Sequence, residues 1–137
     1  MFKNTNNRYK KTNNINNGNY TIQNNSNFNP FDKNHWGPKT WEIMHIFSYN
    51  YPSSPTLQQK QNAFNFFSSI GWMLPCQYCQ NHCIEYVTQN PPSINSRNNL
   101  INWVLQFHNE VNIRLGKETW TRTRLDNKYE TDNAFCA

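Results

Sequence analysis

Residues 74–79 read Leu-Pro-Cys-Gln-Tyr-Cys and place Cys76 and Cys79 at a predicted helix start directly after Pro75. The free N–H groups and the dipole of a helix N-terminus stabilise thiolates. The two-residue spacer also lets both sulfurs join in a small loop that can open and close. Such a loop is a weak structural crosslink, worth roughly 2 kcal/mol by the chain-entropy model. The pair therefore predicts a redox centre in preference to a structural disulfide.

A zinc site is the alternative interpretation of the same segment. His82 and Cys83 follow the pair, so residues 76–83 hold three thiols and one imidazole, a set that suits zinc. Zinc sites usually add two ligands from a distant segment, and here the other candidates are scattered: His35, His45, His108 and Cys136. An iron–sulfur cluster is favoured less because a fourth ligand is missing. A small zinc-stabilised helical interaction module with a basic tail stays as the alternative.

Helical periodicity continues on both sides of the cysteines. Helices are predicted over about residues 38–50, opened by a proline, and over 56–73, 76–89 and 96–115. Ser54-Pro55 is the predicted start of the second helix, Ser96 the cap of the fourth and Gly116 its stop. The second helix carries an apolar stripe of Leu57, Ala63, Phe64, Phe67, Ile70 and Met73. No stretch alternates with a period of two, so the sequence predicts an all-α, compact four-helix bundle, with a short fifth helix allowed after Trp120.

Composition divides the chain of 137 residues unevenly. Residues 1–34 contain 13 of the 26 asparagines, and their basic residues against one aspartate give +4 of the net +5. These basic residues are Lys3, Arg8, Lys10, Lys11 and Lys33. We therefore predict a disordered Asn-rich basic arm over 1–34, a helical domain over 35–120 and a polar C-terminal tail over 121–137.

Charge and hydropathy disfavour several functions. The arm could touch phosphate groups, but residues 35–137 carry only +1, so specific nucleic-acid binding is not expected. No apolar run approaches the roughly 20 residues of a membrane span. Residues 1–34 also lack the continuous apolar segment of a secretory signal. An integral membrane protein and a signal-directed secreted protein are both disfavoured.

Two pairs of side chains, each one helical turn apart, suggest a flat binding slot. Trp41 and His45 share one face of the first predicted helix, and His108 and Asn112 share one face of the fourth. A Trp face and two imidazoles could enclose a planar heteroaromatic ring, whose edge the amide could bond. For each pair taken alone, an ordinary core residue with a polar neighbour at its margin is the favoured interpretation.

Taken together, the motifs resemble the Erv/ALR family of FAD-linked sulfhydryl oxidases. The resemblance runs over residues 36–120, from Trp-Gly-Pro-Lys-Thr-Trp at 36–41 through the Cys76–Cys79 segment to His-Asn-Glu-Val-Asn at 108–112. It also includes Trp103 and the Leu-Gly-Lys segment at 115–117. The Trp-Gly-Pro-Lys start and the short, cysteine-poor chain are most similar to the members from large DNA viruses.

The resemblance implies a helical bundle that holds FAD at its mouth, usually as a homodimer. It implies that Cys76 receives electrons from the dithiol substrate and that Cys79 is the thiol next to the flavin, with O2 reduced to hydrogen peroxide. The cofactor-binding residues that it implies are Trp36, Gly37, Trp41, His45, His82, His108, Asn109, Val111, Asn112, Leu115, Lys117 and Trp120. The implied partners are thiol-containing protein substrates and a thioredoxin-like carrier, in the cytoplasm of an infected cell or in virions.

Some expected family features are absent from the sequence. Cellular members often join the fourth helix to the following segment by a disulfide, and those positions fall on Leu105 and near Arg122. Residues 1–34 hold no cysteine and so cannot shuttle electrons. We expect Cys83 to be buried and inert, and we rank Cys136 as idle or crosslinking above a relay of electrons.

Overall fold

The structure is a computed structural model that describes residues 28–130. Within that range the chain is helical and contains no strand, which confirms the all-α prediction. The elements are α1 (Lys33–Asn50), α2 (Leu57–Ser69), a 3₁₀ turn (Ile70–Met73), α3 (Gln77–Gln89), α4 (Arg97–Arg114) and α5 (Arg122–Tyr129). None of these helices is long and apolar enough to cross a membrane. The predicted disorder of residues 1–27 and the role of Cys136 lie outside the described residues.

Helix α1 begins at Lys33, so the predicted start at Pro38 is wrong. The carboxylate of Asp32 caps the helix and accepts a hydrogen bond of 2.8 Å from the backbone N–H of Asn34. Pro38 therefore lies inside α1, where the helix loses one intrahelical hydrogen bond. Lys33 and Asn34, which the composition placed in the arm, belong to this helix.

Helix α2 starts from a capping box that replaces the predicted Ser54-Pro55 start. The Thr56 hydroxyl accepts from the backbone of Gln59, whose side chain accepts from the backbone of Thr56. Of the predicted apolar stripe, Phe67 is buried, whereas Leu57 is 85% and Met73 is 81% exposed. After Ser69 the helix tightens into the 3₁₀ turn, so the helical period no longer brings Met73 to the core.

Helix α4 forms the centre of the core and packs mainly against α1. Leu100 and Val104 are fully buried, and Trp103 and Phe107 lie beside them. The indole N–H of Trp103 donates a 2.9 Å hydrogen bond to the carbonyl of Asn90, which joins α4 to the end of α3. These contacts place one face of α4 in the core.

The polar tail expected from residue 121 contains α5, which is packed onto the bundle. Leu125 is fully buried. The guanidinium of Arg122 donates to Asp126 at 2.7 Å and, at 3.0 Å each, to Asn98 and Asn102 on α4. Arg122 thus joins α5 to α4 near the point where the resemblance implies a crosslinking cysteine in cellular members.

Gly116 ends α4 as predicted. Its φ of 66° is left-handed, its N–H donates to Ile113 at 3.0 Å, and the N–H of Lys117 donates to Asn112 at 2.8 Å. This pair of bonds is the Schellman arrangement, and it turns Lys117 back over the end of the helix.

Replacing Gly116 by alanine should lower the free energy of unfolding by about 1 to 2 kcal/mol, because a Cβ disfavours the left-handed backbone. Urea unfolding of the flavin-free protein would measure this. Gly37→Ala is the matched control: both glycines have open space around a built Cβ, but Gly37 is helical. It should stabilise by up to about 1 kcal/mol. Equal effects of the two substitutions would contradict the backbone explanation.

Candidate active site

The two predicted redox cysteines form a disulfide at the start of α3. Cys76 is the N-cap, Cys79 lies in the first turn, and their Cα atoms are 5.2 Å apart. The backbone N–H of Cys79 donates to the sulfur of Cys76 at 3.2 Å. Gln80 also donates a 2.7 Å bond to the carbonyl of Leu74, which fixes the preceding loop. The structure thus confirms that the pair closes a small loop at a helix N-terminus.

The zinc alternative is not supported. Two of its three thiols, Cys76 and Cys79, are joined to each other. In residues 28–130 no group of three or more His, Cys, Asp or Glu side chains lies close enough to hold a metal ion.

A cavity of about 990 Å³ opens between α1, α4 and α5, and both Cys76 and Cys79 line it. Its volume is at the upper end of the roughly 300–1,000 Å³ typical of small-molecule sites. Most of the predicted cofactor-binding residues line it as well: Trp36, Gly37, Trp41, His45, His108, Val111, Asn112, Leu115, Lys117 and Trp120. The disulfide and these residues therefore face one shared cavity.

Aromatic rings form the inner walls of the cavity. The ring of Trp41 stacks on that of His108 at 4.4 Å between centroids and an interplanar angle of 11°. His45 lies parallel to Trp120 at 6.3 Å and beside Tyr129 at 5.6 Å. Parallel aromatic walls suit a planar heteroaromatic ligand.

His45 and His108 form a buried hydrogen bond of 2.9 Å between Nε2 and Nδ1. Burial lowers the pKa of His45 to about 3, helped by the charge of Lys128 and by the repulsion that a protonated His108 would exert. Burial likewise lowers the pKa of His108 to about 4, with Lys117, Arg124 and Lys128 adding to the effect. Both imidazoles are therefore neutral near pH 7, and one of them donates to the other.

Two buried polar atoms at the cavity have no partner in the protein. They are Nδ1 of His45 and the side-chain nitrogen Nδ2 of Asn112. Leaving a buried polar atom unpaired costs about 1–3 kcal/mol, so such atoms mark a place where a ligand can bond. A ring with nitrogen donors and acceptors along its edge would satisfy both atoms.

Positive charge prevails around the cavity. Five cations line it against the two carboxylates of Glu42 and Glu118. The cations are Lys33, Lys39, Arg114, Lys117 and Lys128. Lys128 also lies 5.3 Å from the centroid of Trp120. A cavity with excess positive charge suits a ligand that carries phosphate groups.

Two of the predicted cofactor-binding residues do not line the cavity. Asn109 instead holds the backbone of Trp120: its oxygen accepts from the Trp120 N–H at 2.7 Å and its nitrogen donates to the Trp120 carbonyl at 2.8 Å. His82 contacts the edge of the Tyr78 ring at 4.3 Å between centroids. Asn109 therefore positions a wall of the cavity, and His82 lies beside the disulfide segment.

Lys128 and Tyr129 line the cavity from α5 and were not predicted from the sequence. The available signal was Thr121, a helix-capping residue, placed four positions before the apolar Leu125. That signal was outweighed by the polar composition of the segment.

A helical domain with a disulfide at the edge of a ligand-sized cavity defines the class of helical disulfide oxidoreductases. The chain belongs to the Erv1 / Alr family, whose model matches residues 38–130. An FAD-linked sulfhydryl oxidase of African swine fever virus (isolate Pig/Kenya/KEN-50/1950) is 33% identical over 96 residues, which are 70% of this chain and 81% of the relative. A probable FAD-linked sulfhydryl oxidase of Acanthamoeba polyphaga mimivirus is 33% identical over 63% of this chain and 62% of the relative.

Solved structures agree with this assignment. The crystal structure of the yeast Erv1 core matches with a TM-score of 0.73 at 25% identity, over 83% of this chain and 99% of that one. The FAD binding domain of Erv1 from Saccharomyces cerevisiae matches with a TM-score of 0.69 at 28% identity, over 72% and 94%.

The neutral histidine pair should make the protein sensitive to acid. An unfolded histidine binds a proton near pH 6.5, whereas the folded His45 and His108 bind theirs only near pH 3 and 4. The contribution of the pair to stability is therefore present above pH 6.5 and is lost as the pH falls from 6.5 towards 3. Urea unfolding at several pH values would measure the slope, which should be smaller in His108→Gln. An unchanged slope in that variant would contradict the buried neutral pair.

Proposed function

We propose that this chain is an FAD-dependent thiol oxidase that forms disulfides in protein substrates. The observation that carries the proposal is the Cys76–Cys79 disulfide lining the same cavity as the Trp41–His108 stack. The names of the viral and yeast relatives support it. Electrons pass from the substrate dithiol through the disulfide to FAD and then to O2, giving hydrogen peroxide.

The residues of the cavity fit FAD. The aromatic walls and the unpaired atoms of His45 and Asn112 suit the adenine end. Lys117, held at the end of α4 by the Gly116 turn, suits the pyrophosphate. Trp36, Val111 and Leu115 supply apolar lining. When bound, FAD would supply the two-electron acceptor for the reduced Cys76 and Cys79 pair and the centre that reduces O2.

The two cysteines have different roles in the proposed exchange. A substrate thiolate attacks the sulfur of Cys76, the Cys76–Cys79 bond breaks, and Cys79 leaves as a thiolate. The second substrate thiolate then attacks the substrate sulfur and releases Cys76, so the substrate loses two electrons and the pair gains them. Cys79 is assigned to the cofactor side because it shares a face of α3 with the buried Cys83 four residues later.

Cys83 takes no part in this exchange. It is buried, as predicted, and burial raises the pKa of its thiol to about 11, although Arg114 opposes the shift. A thiol that is protonated near pH 7 is a poor nucleophile.

A second copy of the chain is the proposed partner of α1 and α2. Ile43, Ile46 and Phe47 on α1 are each nearly half exposed, and Phe47 contacts Phe66 of α2 at 5.3 Å between ring centroids. An apolar surface shared by two helices suits a homodimer interface.

The proposed site of action is the cytoplasm of an infected cell or the virion, and viral relatives support a viral source. Cytosolic thiols are kept reduced, so a virus that needs disulfides there requires its own catalyst. A thioredoxin-like carrier that receives the disulfide is a further proposed partner.

The function is tested by flavin absorbance after dialysis and by oxygen uptake with dithiothreitol. Both should be positive in the parent, and turnover should be lost in Cys76→Ala and Cys79→Ala. Cys76→Ala should also show a broad long-wavelength absorbance band from the lone Cys79 thiolate beside the flavin, and Cys79→Ala should lack it. Cys83→Ala is the matched control and should keep turnover within about twofold.

A colourless protein without oxygen uptake would refute the function. A long-wavelength band that appears only in Cys79→Ala would reverse the roles of the two cysteines.

The dimer is tested by the molar mass in solution. Phe47→Asp places a charge within the apolar surface of α1 and α2 and should convert a dimer to a monomer. Ile113→Asp changes an exposed apolar residue of α4 and should leave the dimer intact. A parent protein that is monomeric at micromolar concentration would contradict the proposed interface.

A further inference from the structure

Three large side chains next to the disulfide are exposed. They flank Cys76 in the sequence, and we refer to them together as the Trp72 surface: Trp72 (64% exposed), Met73 (81%) and Tyr78 (62%). Trp72 and Met73 belong to the 3₁₀ turn just before Cys76, and Tyr78 belongs to the first turn of α3 just after it. Residues 70–84 contain no Asp, Glu, Lys or Arg. The segment that carries the disulfide therefore has no charged residue of its own and exposes three large side chains beside Cys76 in the sequence.

The backbone beneath this surface is fixed by close packing. A Cβ built on Gly71 would lie 2.7 Å from the sulfur of Cys83, so only glycine lets the turn lie this close to α3. Ile70 packs on the core and Gly71 is buried, which leaves the next two residues pointing outward. A rigid apolar surface binds a partner at a lower entropy cost than a flexible one.

Tyr78 is held from two sides. The ring of His82 meets it edge-on at 4.3 Å, and the guanidinium of Arg114 lies 5.9 Å from its centroid. The Trp72 surface thus combines aromatic and thioether side chains with one nearby cation, Arg114, at the Tyr78 ring.

We infer that the Trp72 surface docks protein substrates through large apolar residues that flank the reactive cysteine. The inference rests on the proposed thiol oxidase function. A substrate sulfur has to come within bonding distance of the Cys76 sulfur. An extended chain advances about 3.3 Å per residue, so the residues that flank the substrate cysteine reach only side chains close to the disulfide.

The chemistry of the surface selects the kind of segment that docks. Trp72 and Met73 offer apolar contact and no charge, so an apolar flank buries well and an acidic or basic flank gains no ion pair from them. Large apolar residues beside cysteines are accessible before a protein has folded and become buried afterwards. The preferred substrates are therefore reduced, unfolded or extended chains, which is the class that needs oxidation during folding.

The test compares two dithiol peptides and dithiothreitol as substrates of the FAD-loaded enzyme. The peptides are identical except that their cysteines are flanked by Leu and Trp in one and by Ser in the other. In the parent, kcat/KM should be about tenfold higher for the apolar peptide, chiefly through a lower KM. In the Trp72→Ser/Met73→Ser variant this preference should shrink to about twofold, with dithiothreitol turnover unchanged. Leu57→Ser, another highly exposed apolar site, is the matched control and should keep the full preference.

Equal kcat/KM for the two peptides in the parent would overturn the inference, and so would a preference that persists in the double variant. A double variant that changes from dimer to monomer, with peptide and dithiothreitol turnover lost together, would show a self-interface and would also overturn it. Failure of the parent to oxidise dithiothreitol is a different result, because it refutes the proposed function itself and the docking role with it. The parent peptide comparison decides the question even if the variant does not fold.

Discussion

A neutral hydrogen bond between His45 and His108 joins α1 to α4, and the cavity is built around it. Burial lowers both pKa values far below 7, so the rings stay uncharged and can lie against other aromatic rings. Trp41 stacks on His108, while Trp120 and Tyr129 lie beside His45. Two charged imidazoles at this distance would repel each other, and the aromatic walls of the cavity would move apart. The protonation state of one buried pair therefore sets the shape of the site.

The wall of the cavity that contains Trp120 and Tyr129 is held in place by polar contacts outside the cavity. Trp120 is held by two backbone hydrogen bonds to the side chain of Asn109. Helix α5 is held by Arg122, which bonds to Asn98 and Asn102 on α4. These bonds hold α5 against α4, and α5 in turn supplies the cavity residue Tyr129. Side-chain hydrogen bonds thus perform a joining role for which a disulfide would be an alternative.

The sequence predicted the features that one local residue decides. Ser96 and Gly116 were identified because capping depends on the residue itself, and the role of Cys76 at a helix start follows from its own segment. The start at Pro38 was wrong because the Asp32 cap begins the helix earlier, and α1 contains Pro38 at the loss of one intrahelical hydrogen bond. Helix α5 was predicted only as a possible short helix in a polar tail. It is held by bonds from Arg122 to Asn98 and Asn102, which are distant in the sequence, and composition does not reveal such bonds. Helical spacing could predict which face of a helix a site residue lies on, but not which residue lies opposite it. Asn109 was therefore predicted to bind the ligand, whereas its side chain bonds the backbone of Trp120.

Cys83 packs between the cavity and the 3₁₀ turn that carries Trp72, and it takes no part in the thiol exchange. Its sulfur fills the space that a side chain at Gly71 would occupy, so the 3₁₀ turn can lie directly on α3. Because the turn lies there, Trp72 points outward beside the disulfide, while Cys83 faces the cavity on the other side. A larger residue at position 83 would push the turn away and move both surfaces together. The proposed substrate surface and the wall of the cavity are therefore two sides of one packing contact, which explains a small, buried thiol at this position without a third redox role.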